Sequence, residues 1–282
     1  VPVPVHAASP DAVPARATAF VTLALLCSWV PWGVLAALGG DPAGSAVATL
    51  LWVLGGLGPG LAAVLLLWRT AGRSGLRWLW HSLRRWRVGR SGWLLLLPLP
   101  VGVVGVLLLA AADRVVLEVD LVATLALVPA FLATGVVLGG LEEVGWRGYL
   151  QPLLQTRARP FTAAALVGVV WAVWHAPLFL LEGTSQAAAS VAGFTLGALA
   201  LSTLFAWVWN VSGGNVLLLV LLHAAVNGWY GAAVHGLAPA VSGADFGTVT
   251  AALAAVLALG LLLRVGPDLG ARTAPVDRMD AT

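Results

Sequence analysis

Two adjacent carboxylates and an arginine, Glu142, Glu143 and Arg147, stand at the end of a long apolar run, in Leu-Glu-Glu-Val-Gly-Trp-Arg-Gly-Tyr-Leu. Charged groups are costly in hydrocarbon, and those found there face a cavity or pair with one another. Two later apolar runs each bring polar groups of their own, Trp171-Ala-Val-Trp-His175 and His223-Ala-Ala-Val-Asn227. On a helix, positions four apart share a face. Glu143 and Arg147 are therefore spaced to pair. Glu142 points roughly 100° away from Glu143 and is left for another partner. His223 and Asn227 can act together on one object.

A carboxylate can deprotonate a water and later protonate a leaving amine. A histidine can hold that water, while a second histidine and an asparagine can donate hydrogen bonds to a developing oxyanion. That set suffices for amide hydrolysis without a serine or cysteine nucleophile. The same carboxylate and imidazoles also suit a divalent metal such as zinc, although the pattern His-Glu-x-x-His is absent. Taken singly, most of these residues have an ordinary structural explanation. His175 or Asn227 alone can be interhelical hydrogen-bond glue. Glu143 with Arg147 can be a structural ion pair, since arginine keeps its charge. Glu142 has no such explanation.

Depth joins the residues. If the helix carrying Glu142 continues to Gln155, Glu142 lies 13 residues from its end, roughly 20 Å. His175 lies 14 residues after Phe161, and His223 lies 13 after Asn210. Three helices place polar groups at similar depth.

The elements that carry them are membrane spans. The chain is 60% hydrophobic and 10% charged, with a mean hydropathy of +0.95, where a soluble domain carries about 25% charged residues. Apolar runs of spanning length recur eight times: Phe20 to Leu38, Val47 to Trp68, Trp93 to Ala112, Leu121 to Leu141, Phe161 to Leu181, Val191 to Trp209, Val216 to Val234 and Val249 to Leu263. Outside the Glu142 segment these spans hold no acidic residue. The runs do not alternate, which disfavours a barrel. The fold class is thus all-α, a polytopic transmembrane bundle of about eight spans. The single cysteine, Cys27, excludes a disulfide framework.

Arginine placement orients the bundle. Seven arginines from Arg69 to Arg90 follow the second run. Arg147, Arg157 and Arg159 follow the fourth, and Arg264, Arg272 and Arg278 follow the last. The opposite loops carry Asp41, Asp113, Arg114, Glu118, Asp120, Glu182 and Asp245. Arginine excess marks the cytoplasmic side, so both termini are expected there. Residues 1–19 are expected to be a disordered tail, residues 20–264 the bundle with its motifs between 142 and 227, and residues 265–282 a second tail. The first apolar run is expected to be a full span and not a cleaved leader. Leu76, Leu79, Trp80, Leu83 and Trp86 fall at helical spacing and predict a helix lying on the cytoplasmic surface, its arginines near anionic lipid. A basic loop that only sets topology is the plainer alternative.

The three motifs resemble those of the CPBP intramembrane proteases, which take in the type II CAAX prenyl endopeptidases and the Abi, or bacteriocin-immunity, proteins. The flanks Arg147 to Pro152 and Gly214 onward are similar too, so the resemblance covers about residues 120 to 232. It implies that Glu142 activates water with His175, that His223 and Asn227 form the oxyanion hole, and that Glu143 and Arg147 hold the site's shape. In the favoured reading no cofactor is required; a metal mechanism with zinc is the alternative. Trp146 and Trp171 stand where the family commonly has phenylalanine, a change expected to matter little.

The expected partners are membrane lipid and a membrane-associated protein or peptide substrate, with no nucleic acid. The alanine-rich, lysine-free composition points to a bacterial inner membrane, where a small peptide or a membrane protein is the expected substrate in place of a prenylated tail. Two other functions compete. A transporter could use an intramembrane Glu and His cluster, but the chain lacks paired half-sequence symmetry. A non-proteolytic immunity or scaffold protein would not need the base.

Overall fold

The computed structural model describes residues 10–86, 89–117, 120–237 and 241–271. Among these residues all regular structure is helical. The helices are α1 (Val13–Ala37), α2 (Ala46–Gly56), α3 (Gly58–Leu83), α4 (Pro98–Ala111), α5 (Leu121–Val137), α6 (Pro160–Trp174), α7 (Val191–Val211), α8 (Val216–Leu237) and α9 (Gly243–Val265). Seven helical stretches are long and apolar enough to cross a membrane, or eight when the bent pair α2 and α3 counts as one span. Large apolar side chains such as Leu26, Val30, Leu61, Leu107, Val169 and Leu259 stand exposed on the outside of the bundle. Apolar surface on this scale fits lipid as the solvent. The chain is a multi-pass membrane bundle.

The centre is α8. In its apolar window 72% of the residues are buried, against 28% in α1 and α9. It packs against α5 on one side and α4 on another, while α7 lies between α6 and α9. On the far side α1 is locked to α6: Trp174 Nε1 donates to Ser28 Oγ at 2.6 Å, and Trp29 Nε1 donates to the Trp174 carbonyl at 3.0 Å.

Five features depart from the expectation. The first helix begins at Val13, so residues 13–19 belong to the bundle and not to a tail. Pro14 lies in its first turn, where the missing N–H needs no partner. Residues 1–9 lie outside the described residues. At the other end, residues 266–271 fold back onto the helices. Phe161 N donates to Pro267 O at 2.9 Å, Asn210 Nδ2 donates to Leu269 O at 3.1 Å, and Leu269 is fully buried. Residues 272–282 are again outside the description.

The second apolar run is broken, with α2 and α3 meeting at an angle of 50°. Hydropathy averaged over a window does not register such a bend. Further on, α3 kinks at Gly72, whose φ of 56° and ψ of −141° suit a residue without Cβ. Past the kink, the helix expected at the membrane surface docks on the bundle through a different face. Trp78, Leu79 and Ser82 are buried, while Trp80 and Trp86 point outward. Ser82 Oγ donates to Gly214 O at 3.0 Å and accepts from Val216 N at 3.1 Å. Arg85 donates to Gly213 O at 2.9 Å. Arg84 lies 5.3 Å over the Trp80 ring.

The fourth run is not one regular helix. After α5 the chain breaks at Gly139, then passes through a 3₁₀ turn (Gly140–Glu142), one short α turn (Glu143–Gly145), a π turn (Trp146–Leu150) and a last α turn (Gln151–Gln155). The apolar stretch that crosses is Val128–Gln155. Such π turns concentrate at functional sites.

Candidate active site

Glu142, His175, His223 and Asn227 all line one cavity of about 710 Å³. Glu143 and Arg147 do not line it; both are fully buried behind its wall. The divergence of the two carboxylates follows from their adjacency on a helical turn.

Glu142 is held by tryptophan. Its Oε2 accepts from Trp171 Nε1 at 2.7 Å and from Trp146 Nε1 at 3.3 Å. The partner left open by the sequence reading is thus partly local, since Trp146 is four residues on. The view that tryptophan for phenylalanine matters little is also corrected. A phenylalanine at either position has no N–H to give. The bonds were legible in principle: Trp146 is an i+4 neighbour, and a buried indole N–H seeks an acceptor.

Trp171 organises more than Glu142. Its carbonyl accepts from His175 Nδ1 at 2.8 Å. A carbonyl can only accept, which assigns the hydrogen to Nδ1 and leaves Nε2 of the neutral ring as an acceptor. The Trp171 ring packs 5.3 Å from the His223 ring, edge to face, and 5.8 Å from that of His175. His175 caps the end of α6 and is wedged between Trp174 and Phe194, at 4.6 and 4.8 Å.

Glu143 pairs with Arg147 as the spacing predicts. NH1 of the guanidinium donates to both carboxylate oxygens at 3.0 Å. The same carboxylate accepts from His223 Nδ1 at 2.9 Å, a bond that the sequence did not reveal because 80 residues separate the two. Arg147 NH2 donates to Ser202 Oγ at 3.0 Å, and Ser202 Oγ donates to Ala164 O at 2.7 Å. The guanidinium also lies over the Phe205 and Trp171 rings at 5.1 and 5.5 Å. Ser202 was missed: one serine in an apolar helix carries no pattern.

Gly139 completes the floor. A Cβ built there would overlap Asn227 Nδ2 and stand 3.0 Å from His223 Nε2. The two nitrogens therefore crowd one spot above a backbone with no side chain. With Nδ1 tied to Glu143, Nε2 is the imidazole nitrogen left for a ligand. Among the described residues, no three His, Cys, Asp or Glu side chains converge closely enough to hold a metal ion.

Arranged this way, the site offers a carboxylate base in a mostly apolar cavity, an imidazole acceptor and a pair of nitrogen groups over one point. Residues 124–229 match the family described as Type II CAAX prenyl endopeptidase Rce1-like. The chain is also similar to "CAAX prenyl protease 2" of Methanococcus maripaludis, with 29% identity over 92 residues. That alignment covers 30% of this chain and 34% of the relative, so the chain spans about a third of the length of the curated protein it matches.

Proposed function

Over residues 124–229 the chain belongs to the type II CAAX prenyl endopeptidase family, and on that premise we propose that it is an intramembrane endopeptidase driven by a glutamate-activated water. Glu142 takes a proton from water held against His175 Nε2, and the water attacks the peptide carbonyl. Asn227 Nδ2 and His223 Nε2 donate to the resulting oxyanion. For His223 this requires the imidazolium form, with Glu143 as its counter-charge. Arg147 pairs with the Glu143 carboxylate and orients it. Glu142 then passes its proton to the leaving amine. The observation that carries this reading is the partition of the six residues: four line one cavity, and the ion pair sits behind it.

The substrate class is a membrane-associated protein or peptide. The test is mass spectrometry of membranes from bacterial cells with and without the full chain. New C-terminal or leader fragments are expected with the chain. An unchanged fragment pattern would favour a non-proteolytic immunity or scaffold role.

Replacing Trp171 with phenylalanine isolates one part of this account. The backbone carbonyl that holds His175 stays and a ring still faces His223, while the indole N–H on Glu142 is lost together with part of the indole's packing. Hydrogen bonds to charged groups are worth about 1.5–3 kcal/mol, so cleavage is expected to slow by about ten- to a hundredfold. The rate loss belongs in kcat, with KM close to the parent's, while the smaller ring lowers thermal stability. An unchanged kcat would mean that Trp146 alone suffices to place the carboxylate.

A further inference from the structure

Ser202 sits in the middle of α7 and is fully buried. It faces α6 where the two helices approach closely: a Cβ built on Gly168 would stand 3.1 Å from Ser202 Cβ and 3.1 Å from Leu199 Cα. A serine hydroxyl has one hydrogen and two lone pairs. Ser202 gives its hydrogen to the Ala164 carbonyl at 2.7 Å, which leaves the oxygen as an acceptor for Arg147 NH2 at 3.0 Å. The Ser202 carbonyl accepts from the same NH2 at 3.4 Å, and Nε of the guanidinium has no partner among the described residues. NH1 spans both oxygens of Glu143, and Glu143 accepts from His223 Nδ1 at 2.9 Å. One chain of bonds thus runs from the α6 backbone through Ser202, Arg147 and Glu143 to the ring of His223.

The next residue shows the ordinary arrangement. Thr203 Oγ1 donates to Leu199 O of its own helix at 2.9 Å, as hydroxyls in apolar helices commonly do. Ser202 instead reaches a second helix with its hydrogen and a buried cation with its lone pair. Without that oxygen, the NH2 end of Arg147 keeps only the longer contact to the Ser202 carbonyl. The guanidinium can then turn under the Phe205 and Trp171 rings, and Glu143 turns with it. Glu143 holds His223, whose Nε2 crowds one spot with Asn227 Nδ2 at the cavity. We infer that Ser202 is a positioning residue for the reaction: it fixes the His223 imidazole through Arg147 and Glu143. It does not line the cavity and so acts without touching substrate. The role rests on the endopeptidase reading for its reaction, whereas the bonds themselves do not. Ala164 and Trp171 lie seven residues apart, on one face of α6. A single helix thereby aims both the Glu142 carboxylate, through the Trp171 indole, and His223, through Ser202.

The test uses the full chain, purified with isotope-labelled histidine, and reads the ring signals of His223 and His175 by NMR. Each is assigned by its loss in His223→Gln or His175→Gln. In Ser202→Ala the His223 signal is expected to shift or broaden while the His175 signal stays in place. The kcat per folded chain is expected to fall by about ten- to a hundredfold, as the misplacement of a reacting group from a distance does, with KM near the parent's. Thr203→Val removes a neighbouring hydroxyl that bonds its own helix, and is expected to change neither the His223 signal nor kcat. Ser202→Cys nearly keeps the volume with a weaker acceptor and is expected to move the His223 signal the same way by less; it carries the test if the alanine variant does not fold. An unmoved His223 signal overturns the inference, as does a His175 signal that shifts equally, which marks loosened packing at large. A moved His223 signal with kcat unchanged also overturns it. The ring signals need no substrate, so a parent chain that cleaves nothing refutes the endopeptidase reading while the bond chain to His223 is still judged.

Discussion

Glu142→Gln is expected to abolish cleavage while leaving the bundle folded. The amide keeps the shape of the carboxylate, and its oxygen can still accept from Trp171 and Trp146, which hold Glu142 at 2.7 and 3.3 Å. It cannot take a proton from water at working pH, and general-base catalysis is typically worth about 10²–10⁴ in rate. Fragments that appear with the parent chain are expected to vanish from membranes carrying the variant, while yield and melting temperature match the parent's. Persistence of the same fragments at the same level would remove Glu142 from the chemistry. The contrast with Trp171→Phe separates the roles, since that variant slows the reaction without removing the base.

Arg147→Ala is expected to do the opposite and to act on the fold first. The guanidinium is fully buried, pairs with Glu143 through NH1 and reaches Ser202 through NH2. Truncating it leaves the buried Glu143 carboxylate with His223 as its one remaining partner among the described residues. Breaking a buried pair from one side costs about 3–5 kcal/mol, a large part of the stability of a domain. Folded yield in detergent and the melting temperature are expected to fall sharply, and residual activity should scale with the folded fraction. If the variant melted like the parent yet had no activity, Arg147 would act in catalysis directly.

The difference between these two variants tracks what the chain states locally and what it does not. The i, i+4 spacing of Glu143 and Arg147 is a local property of one turn, so their pairing was legible. The apolar runs likewise announced the spans, because burial in lipid needs only length and composition. The bend between α2 and α3, the kink at Gly72 and the break at Gly139 were not legible. The break at Gly139 depends on what packs across it, since the glycine lies under Asn227 and His223. The bond from His223 to Glu143 joins residues far apart in the chain and has no sequence pattern. The indoles on Glu142 were legible in part. Trp146 stands four residues from Glu142, and its N–H is the informative group. The tail expected over residues 1–19 gives way to helix at Val13, because a helix tolerates Pro14 in its first turn.

The central claim is that Glu142 acts as a base and not as a metal ligand. The most direct measurement follows cleavage by the purified full chain before and after exhaustive treatment with a strong chelator, with single divalent ions added back. The account predicts an unchanged rate after chelation and no gain from any added ion, with Glu142→Gln inactive throughout. Loss of activity on chelation, restored by zinc alone, would contradict it and would turn Glu142, His175 and His223 into ligands of a metal.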